Sequence, residues 1–297
     1  MIFIGIDLGG TRIKGIALNS DYKILQQFYL PTNDTEGNWK EGIADAVAQL
    51  KKDTKASEYV VGISAPGLPD NDNTAIGYLG GRLKGLENFI WQDFLKLPTV
   101  VLNDAIAALM AEAKMGAAKD STNAVLLTLG TGVGGALLIN KQPYQGSFNK
   151  AGHIGHMVID CNAAANFTGM PGSLEDCIGN CTIEKRSDGK FTSTLSMLEA
   201  YKNGDEIAKD IWLTSVKKLA IGLASISNII SPDTIIIGGG IAEANDDLFI
   251  PLNKMVDEYE WQPGGIKAKI VKAVYGDLAG AIGAACFAKE KFKTIQN

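Results

Sequence analysis

Cysteine and histidine are scarce in this chain, and long uninterrupted hydrophobic runs are missing. Four cysteines and two histidines occur among 297 residues. That is too few cysteines for a disulfide framework in a chain of this length, so a reducing, cytoplasmic compartment is expected. No apolar run reaches the roughly 18–20 residues that span a bilayer, and the first residues lack the basic region of a signal peptide. We therefore expect a soluble, cytoplasmic protein without a membrane partner.

Positive charge is not in excess either. Lys and Arg number 28 against 33 Asp and Glu, which gives a net charge of −5. Without a basic stripe the sequence lacks the electrostatic footprint of a nucleic-acid-binding surface. The hydrophobic fraction is 46%, enough in a chain of this length for a large core and two domains.

Glycine, by contrast, is abundant, and its most informative cluster follows the first apolar run. Residues 7–14 read D-L-G-G-T-R-I-K between two apolar segments, a pattern typical of two strands joined by a tight turn. The glycines allow a ligand to approach the backbone, whose N–H groups can face an anion. Asp7 at the edge of this turn could hold a Mg²⁺ ion that accompanies a nucleotide phosphate. An ordinary hairpin with a polar tip is the alternative.

The same pattern occurs a second time. Ile4 to Leu18 and Val125 to Ile139 both read as strand, polar residue, Gly/Thr turn and strand, with Asp7 opposite Thr128. Such recurrence indicates a duplicated architecture, in which two hairpins bind one phosphate chain. Thr234 to Ala242 adds a buried strand that runs into three glycines before a helix, a place for a flat ring or a phosphate.

A carboxylate stands at the end of another predicted strand. Asn103 and Asp104 follow the strand Thr99–Leu102 and precede a helix-forming segment at Ala105–Lys114. Helix capping alone would account for an Asp at this position. Beside two phosphate-type hairpins, Asp104 is also the best candidate for the base of a phosphoryl transferase, which needs one carboxylate to accept the proton of the acceptor hydroxyl. Its place at a helix N-terminus predicts a low pKa.

The remaining segments alternate between strands and helices, which predicts an α/β protein. The predicted strands are residues 24–30, 59–64 and 267–273, and the predicted helices are residues 38–53, 205–230, 248–259 and 279–291.

Six stretches, in their order and spacing, resemble the ROK family of sugar kinases and repressors over nearly the whole chain. They are D-L-G-G-T-R-I-K, G-I-S-A-P-G, L-N-D-A, L-T-L-G-T-G-V-G-G-A, A-G-H-I-G-H with G-S-L-E, and I-I-I-G-G-G-I. The resemblance implies a two-domain, actin-like (ribonuclease H-like) ATPase fold with mixed sheets flanked by helices. We take residues 1–105, completed by residues 283–297, as the first domain and residues 106–282 as the second.

The resemblance also implies a role for each motif, with Asp104 as the catalytic base. The implied sugar-binding residues are Asn103, Asp104, His153, His156, Glu175 and Ser64. The implied ATP- and Mg²⁺-binding residues are Asp7, Gly9, Gly10, Thr11, Gly130, Thr131, Gly132, Gly134, Gly239 and Gly240. Glu175 has an alternative reading as a charge in the first turn of a helix.

Two departures from the family pattern affect the expected ligands. His153 stands where the family usually has Glu, and exchanging an acceptor-only carboxylate for an imidazole changes which sugar hydroxyls or substituents are bound. Many members hold a structural zinc with three cysteines, whose positions are here occupied by Asn166, Thr168 and Ser173. Structural zinc is therefore not expected. The nearby cysteines are Cys161, Cys177 and Cys181, of which the last two could form a different site with His156.

The sequence thus predicts an ATP-dependent hexose kinase. The expected acceptor is the 6-hydroxyl of glucose or of a related hexose or N-acetylhexosamine. One alternative is a transcriptional regulator, which is disfavoured because the first hairpin begins at Ile2 and leaves no room for a preceding DNA-binding domain. The other is a non-catalytic sugar or nucleotide sensor with the same fold. The resemblance further implies a homodimer.

Overall fold

The computed structural model describes residues 1–32, 37–80, 83–166 and 168–296, so that Asn297 of the predicted terminal segment lies outside it. The chain divides into two compact units. The first comprises Met1–Asp120, Gln145–Ala151 and Val274–Asn297, and the second comprises Ser121–Tyr144 and Gly152–Ala273. The division after residue 120 differs from the boundary expected near residue 105.

Each predicted strand and helix has a counterpart in the structure. The strands are β1 (Ile2–Leu8), β2 (Arg12–Leu18), β3 (Ile24–Pro31), β4 (Tyr59–Ala65), β5 (Leu68–Pro69), β6 (Ile76–Tyr78), β7 (Thr99–Asn103), β8 (Ala124–Leu129), β9 (Val133–Ile139), β10 (Gln142–Tyr144), β11 (Thr234–Gly238) and β12 (Lys269–Lys272). The helices are α1 (Trp39–Thr54), α2 (Trp91–Leu95), α3 (Asp104–Met115), α4 (Leu174–Ile178), α5 (Ile183–Arg186), α6 (Thr194–Lys202), α7 (Glu206–Ile230), α8 (Asp246–Tyr259) and α9 (Ala279–Gln296).

The first unit is built on a five-stranded sheet in the order β3-β2-β1-β4-β7. β1 and β2 form the predicted antiparallel hairpin, in which Asp7 pairs with Lys14. β1, β4 and β7 run parallel, so their carboxyl ends, which carry Asp7, Ser64 and Asn103, lie at one edge of the sheet. β1 and β4 are almost entirely buried, as expected of parallel strands covered on both faces.

Helix α9 lies directly against this sheet because two of its strands carry glycine at the contact. A Cβ at Gly5 or Gly62 would collide with the backbone carbonyl of Ala281 or Ala284. A third glycine, Gly283, brings α9 equally close to the backbone of Ala107 in α3. The packing of α3 on α9 explains why α3 belongs to the first unit and why the division falls after residue 120.

The second unit repeats this arrangement in a sheet of order β10-β9-β8-β11-β12. β8 and β9 form an antiparallel hairpin, with Thr128 opposite Gly134, and β8, β11 and β12 run parallel. The predicted duplication of the strand arrangement is therefore confirmed. Glu175 lies in the first turn of α4, which agrees with the alternative interpretation of this residue as a helix charge. Helices α5 and α6 were not predicted, and α5, at four residues, is too short to show a helical period.

Helix α7 is the central helix of the second unit. Asp205 caps it by accepting hydrogen bonds from Ile207 and Ala208, and Trp212 within it is fully buried and donates to the carbonyl of Asp247. Within the described ranges, α7 alone has the length and hydropathy to cross a membrane. Half of the most apolar 18-residue stretch of α7 is buried inside the protein. Because α7 also packs on α4, α6 and α8, it has the contacts of a core helix.

Candidate active site

In the first unit, Asp7 is held in place from two sides at the carboxyl end of β1. Its Oδ1 accepts a hydrogen bond of 2.8 Å from the Ser64 hydroxyl, and its Oδ2 lies 3.1 Å from the Lys14 ammonium. Lys14 also pairs with Asp277 at 2.8 Å. Burial disfavours the charged form of Lys14, but the attraction of Asp7 and Asp277 outweighs it and raises the pKa of Lys14. Asp7 therefore stays beside a permanently charged lysine.

Ser64, which the resemblance implies to bind the sugar, lies next to Asp7. Its side chain is fully buried and its hydroxyl donates to Asp7. The structure thus gives this hydroxyl a supporting contact with Asp7.

The turn after Asp7 is exposed at its tip and is held by hydrogen bonds at Gly9. The amide of Gly9 donates to the carbonyl of Arg12 at 3.1 Å, and the Thr32 hydroxyl donates to the carbonyl of Gly9 at 2.7 Å. Gly10 and Thr11 at the tip are exposed. A rigid turn with exposed glycine and threonine suits the approach of a phosphate to the backbone.

The main N-cap of helix α3 is Asn103, the residue before Asp104. The side-chain oxygen of Asn103 accepts from the amides of Ala105 and Ile106, and its amide group donates to the carbonyl of Gly67 at 2.9 Å. Asp104 accepts with Oδ1 from the amide of Ala105 at 2.8 Å. The side chain of Asn103 and the backbone amide of Asp104 itself also interact favourably with this carboxylate. The side chain of Asp104 faces solvent, whereas Asn103 is 4% exposed and largely engaged.

The pKa expected for Asp104 was wrong. Part of the side chain faces solvent, but protein atoms surround it closely enough that burial raises its pKa from 3.8 to about 6. Repulsion from Asp7 adds to this effect, and the hydrogen bond from Ala105 opposes it without cancelling it. A carboxylate with this pKa is ionised at pH 7 and is a stronger base than an ordinary aspartate.

In the second unit, the turn of the β8–β9 hairpin is tied to the segment that follows α4. Asn180 and Cys181 donate their amides to the carbonyls of Gly130 and Thr131 at 2.9 and 2.8 Å. From α4, Glu175 accepts with Oε2 from the amide of Val133 at 2.9 Å, and a Cβ at Gly132 would collide with that oxygen. Glu175 thus contacts the glycine turn, and its implied sugar contact stays a prediction.

The two histidines lie at either end of a short 3-10 helix, Ile154–His156. Gly152 and Gly155 let this segment lie directly on β9, because a Cβ at either position would meet its backbone. The imidazole rings are nearly parallel, with centroids 6.4 Å apart. Burial, and secondarily the proximity of His156, lowers the pKa of His153. His153 is therefore a neutral imidazole at pH 7, while His156 is exposed.

The positions of the family's zinc cysteines carry a hydrogen-bond network instead. The side-chain amide of Asn166 donates to Asp176 at 2.8 Å and to the Ser173 hydroxyl at 3.3 Å, and Thr168 donates to the Asn166 oxygen. Ser173 and Asp176 form the capping box of α4. No group of three or more His, Cys, Asp or Glu side chains that could hold a metal occurs in the part of the chain that the structure covers. The alternative site of Cys177 and Cys181 with His156 is thus unsupported.

A cavity of about 380 Å³ adjoins the glycine turn of the second unit, within the range of ~300–1,000 Å³ typical of ligand pockets. It is lined by Gly130, Thr131, Asn180, Thr194, Leu195, Leu198, Glu199, Lys202, Gly240, Ile241, Glu243 and Ala244. A Cβ at Gly130 or Gly240 would meet no protein atom within 4 Å. The Thr194 hydroxyl is buried and, among the described residues, has no hydrogen-bond partner. An unpartnered hydroxyl in a largely apolar pocket suits a flat ligand with polar edges.

Sequence reasoning found only the glycine positions and Thr131 of this cavity. The contributions of α6, including Thr194 and Glu199, were missed, and their only local signal is the N-cap serine Ser193. Three predicted glycines of the second unit lie outside this cavity, of which Gly132 lies against Glu175. Gly134 is in β9, paired with Thr128. Gly239 does not line the cavity; it has φ = 86° and no room for a Cβ against the backbone of Leu129.

Comparison with known proteins supports the resemblance. The model of the ROK family matches residues 3–291. A glucokinase of Halalkalibacterium halodurans is 29% identical over 99% of this chain and 97% of its own. An N-acetylmannosamine kinase of Escherichia fergusonii is 27% identical over 97% and 99% of the two chains.

Two solved structures share the fold. A ROK hexokinase from Thermus thermophilus has a TM-score of 0.89 at 26% identity, covering 99% of this chain and 100% of its own. A ROK family glucokinase from Streptomyces griseus, in complex with glucose and AMPPNP, has a TM-score of 0.80 at 25% identity, covering 98% and 100%. The predicted α/β actin-like ATPase fold is confirmed, and the chain belongs to the ROK family.

Proposed function

We propose that this protein is an ATP-dependent sugar kinase in which Asp104 is the general base. The observation that carries the proposal is the state of Asp104. It lies at the carboxyl end of a parallel strand, faces solvent, and has a pKa of about 6. Asn103 supplies the helix cap, so capping does not account for the carboxylate of Asp104.

In this proposal Asp104 orients the acceptor hydroxyl and takes its proton as the oxygen bonds to the transferred phosphorus. Phosphoryl transfer depends mainly on positioning and on charge neutralisation. A base with a pKa about 6 is ionised at neutral pH and accepts the proton more readily than an ordinary aspartate.

Asp7 is the proposed carboxylate for the divalent ion, Mg²⁺, that accompanies ATP. The residues around it fit this role, since Ser64 and Lys14 fix the carboxylate and Gly280 leaves no side chain beside it. When bound, such an ion neutralises phosphate charge. Gly9, Gly10 and Thr11 in the exposed turn would contact phosphate oxygens.

The nucleotide base is proposed to occupy the cavity beside the second glycine turn. The Thr194 hydroxyl would form a hydrogen bond with a polar edge of the base. The buried side chains of Leu198 and Ile241 would contact the faces of the base. Gly130, Thr131 and Gly132 would contact the phosphates.

The proposed acceptor is the 6-hydroxyl of glucose or of a related hexose or N-acetylhexosamine. Asn103 has few hydrogen bonds left to offer, so sugar recognition falls mainly to Asp104, Glu175 and the two histidines. A neutral His153 offers one donor and one acceptor where a carboxylate offers acceptors only. This difference favours a sugar whose substituent supplies an acceptor, such as an N-acetyl or glycosidic group.

A coupled ADP-release assay with Mg-ATP tests the proposal against a panel of hexoses, N-acetylhexosamines and β-glucosides. We expect turnover with at least one sugar and a loss of about 10²- to 10⁴-fold in kcat for Asp104→Asn, with sugar and nucleotide still bound in calorimetry. Asp45→Asn, on the exposed face of α1, is the matched control.

Near-full turnover of Asp104→Asn would refute the base assignment. If the wild-type protein released no ADP with any sugar of the panel but still bound sugar or nucleotide, the non-catalytic sensor would be favoured instead. Sedimentation of the same preparation tests the homodimer that is part of this proposal.

A further inference from the structure

A second cavity lies in the second unit, formed by other residues than the first. Its volume is about 330 Å³. It is bounded by residues 163–164 and 172, by α4 and α5, and by one face of α7. Three cationic side chains line it: Lys185, Arg186 and Lys218. None of the roles proposed above uses this cavity.

Arg186 has an unusual set of partners for a partly buried guanidinium. Nε donates to the Thr182 hydroxyl at 3.2 Å, Nη1 to the Ser215 hydroxyl at 2.6 Å, and Nη2 to the carbonyl of Gly179 at 2.9 Å. All three acceptors are neutral. No carboxylate lies within 4 Å of the guanidinium in the described ranges of the chain. Since a guanidinium has five N–H groups, two remain without a protein acceptor there.

A buried charge without a counter-charge is unfavourable, and proteins normally pair it. Burial lowers the pKa of Arg186 to about 10, and the side chain is still fully protonated at neutral pH. The guanidinium therefore carries a charge that its surroundings do not neutralise.

The carboxylates around the cavity are engaged or exposed. Asp176 accepts with Oδ2 from Asn166 and from Ser173 within the capping box of α4. Asp210 is exposed on α7. Asp160, which does not line the cavity, pairs with Lys218 at 3.2 Å.

We propose that this cavity is a binding site for a small phosphorylated molecule, with Arg186 as the principal ligand and Lys218 as the second cation. Arginine presents a fork of donors that matches a phosphate oxyanion, and such charge-assisted hydrogen bonds are strong. The volume exceeds that needed by an inorganic anion and lies within the range of small-molecule pockets, which favours a phosphate ester of the size of a sugar phosphate.

The site does not rest on the proposed kinase activity, so its test is independent. Inorganic phosphate, glucose 6-phosphate and uncharged glucose are titrated calorimetrically into the full-length protein. The protein is first saturated with Mg²⁺ and a non-hydrolysable ATP analogue. We expect glucose 6-phosphate to bind, with inorganic phosphate weaker. Stronger binding of inorganic phosphate would identify a free anion as the occupant of the same site.

Three variants assign the binding to this cavity. Arg186→Met is expected to weaken phosphate-ester binding about 10- to 100-fold and Lys218→Met about tenfold, from the strength of hydrogen bonds to charged groups. Lys217→Met removes the same charge from the adjacent, exposed residue of α7, which does not line the cavity, and should bind as the wild type does.

Equal affinity in Lys218→Met, Arg186→Met and the wild type would overturn the proposal. Failure of both phosphate probes to bind would also overturn it. Arg186 also holds the carbonyl of Gly179, so its variant is the one at risk of misfolding. If Arg186→Met misfolds, the phosphate-ester affinity of Lys218→Met, which leaves this contact intact, tests the proposal by itself.

Discussion

Replacing Asp104 by asparagine should make the protein more stable while it makes the proposed enzyme inactive. The pKa of Asp104 is raised from 3.8 to about 6. An acid whose pKa is higher in the folded state is stabilising in its protonated form, below the pKa of the unfolded chain. That contribution is lost as the pH rises through the folded value. At pH 7 the ionised carboxylate is thus a destabilising charge.

The size of the effect follows from the same values. Each pKa unit corresponds to about 1.4 kcal/mol, so a rise from 3.8 to about 6 would cost about 3 kcal/mol if the carboxylate were fully buried. Asp104 is partly exposed, and solvent screening reduces the cost to about 1 kcal/mol. For units of this size that corresponds to about 2–4 °C in the midpoint of thermal unfolding.

The assay is thermal unfolding of Asp104→Asn and of the wild type between pH 4 and pH 8. The asparagine keeps the acceptor for the amide of Ala105, so the comparison isolates the charge. We expect the variant to unfold at a higher temperature at pH 7 and the difference to vanish near pH 4. Asp45→Asn should show no such difference. A variant that is less stable than the wild type at pH 7, or equally stabilised at pH 4, would refute this account of Asp104.

Three further predictions concern the pH dependence of activity, the hydroxyl of Thr194 and the carboxylate of Glu112. If Asp104 is the base, kcat/KM should fall on the acidic side with an apparent pKa near 6; a profile flat down to pH 5 would contradict this. Thr194→Val should raise the KM for ATP about five- to tenfold without lowering the unfolding midpoint, since the hydroxyl has no hydrogen-bond partner in the part of the chain that the structure describes; an unchanged KM would exclude Thr194 from the nucleotide site. Glu112 is fully buried and accepts from the amides of residues 117, 274 and 275, so Glu112→Ala should lower the free energy of unfolding by about 3–5 kcal/mol in urea titrations, and a loss under 1 kcal/mol would show that these donors find other partners.

The hairpins and the order of strands could be predicted from the sequence because their signals are local. Each hairpin signal, an apolar strand followed by a glycine turn and a second strand, occupies about fifteen consecutive residues. The pairing of Lys14 with Asp7 could have been predicted in the same way, because these residues are opposite each other across the first hairpin.

The state of each site residue could not be predicted in this way, because it depends on neighbours that are distant in sequence. Ser64 is bound to Asp7, 57 residues away, and the charge of Asp7 together with burial sets the pKa of Asp104. The local signal at Asp104, a helix N-terminus, predicts the opposite shift. Desolvation and a nearby like charge prevail because they act where solvent screening is weakest.

The sequence by itself determined where the glycine turns lie and which strands bear carboxylates, since glycine patterns and hydrophobic periods act over a few residues. Only the tertiary structure decided what those residues do there. It gave the helix cap to Asn103 and left the side chain of Asp104 facing solvent, and it joined Asn166 and Ser173 with Asp176 in one hydrogen-bond network. Among the described residues, it also left the Thr194 hydroxyl without a hydrogen-bond partner and gave Arg186 only neutral acceptors. Burial and charge compensation arise from the whole packed chain, and no short stretch of sequence records them.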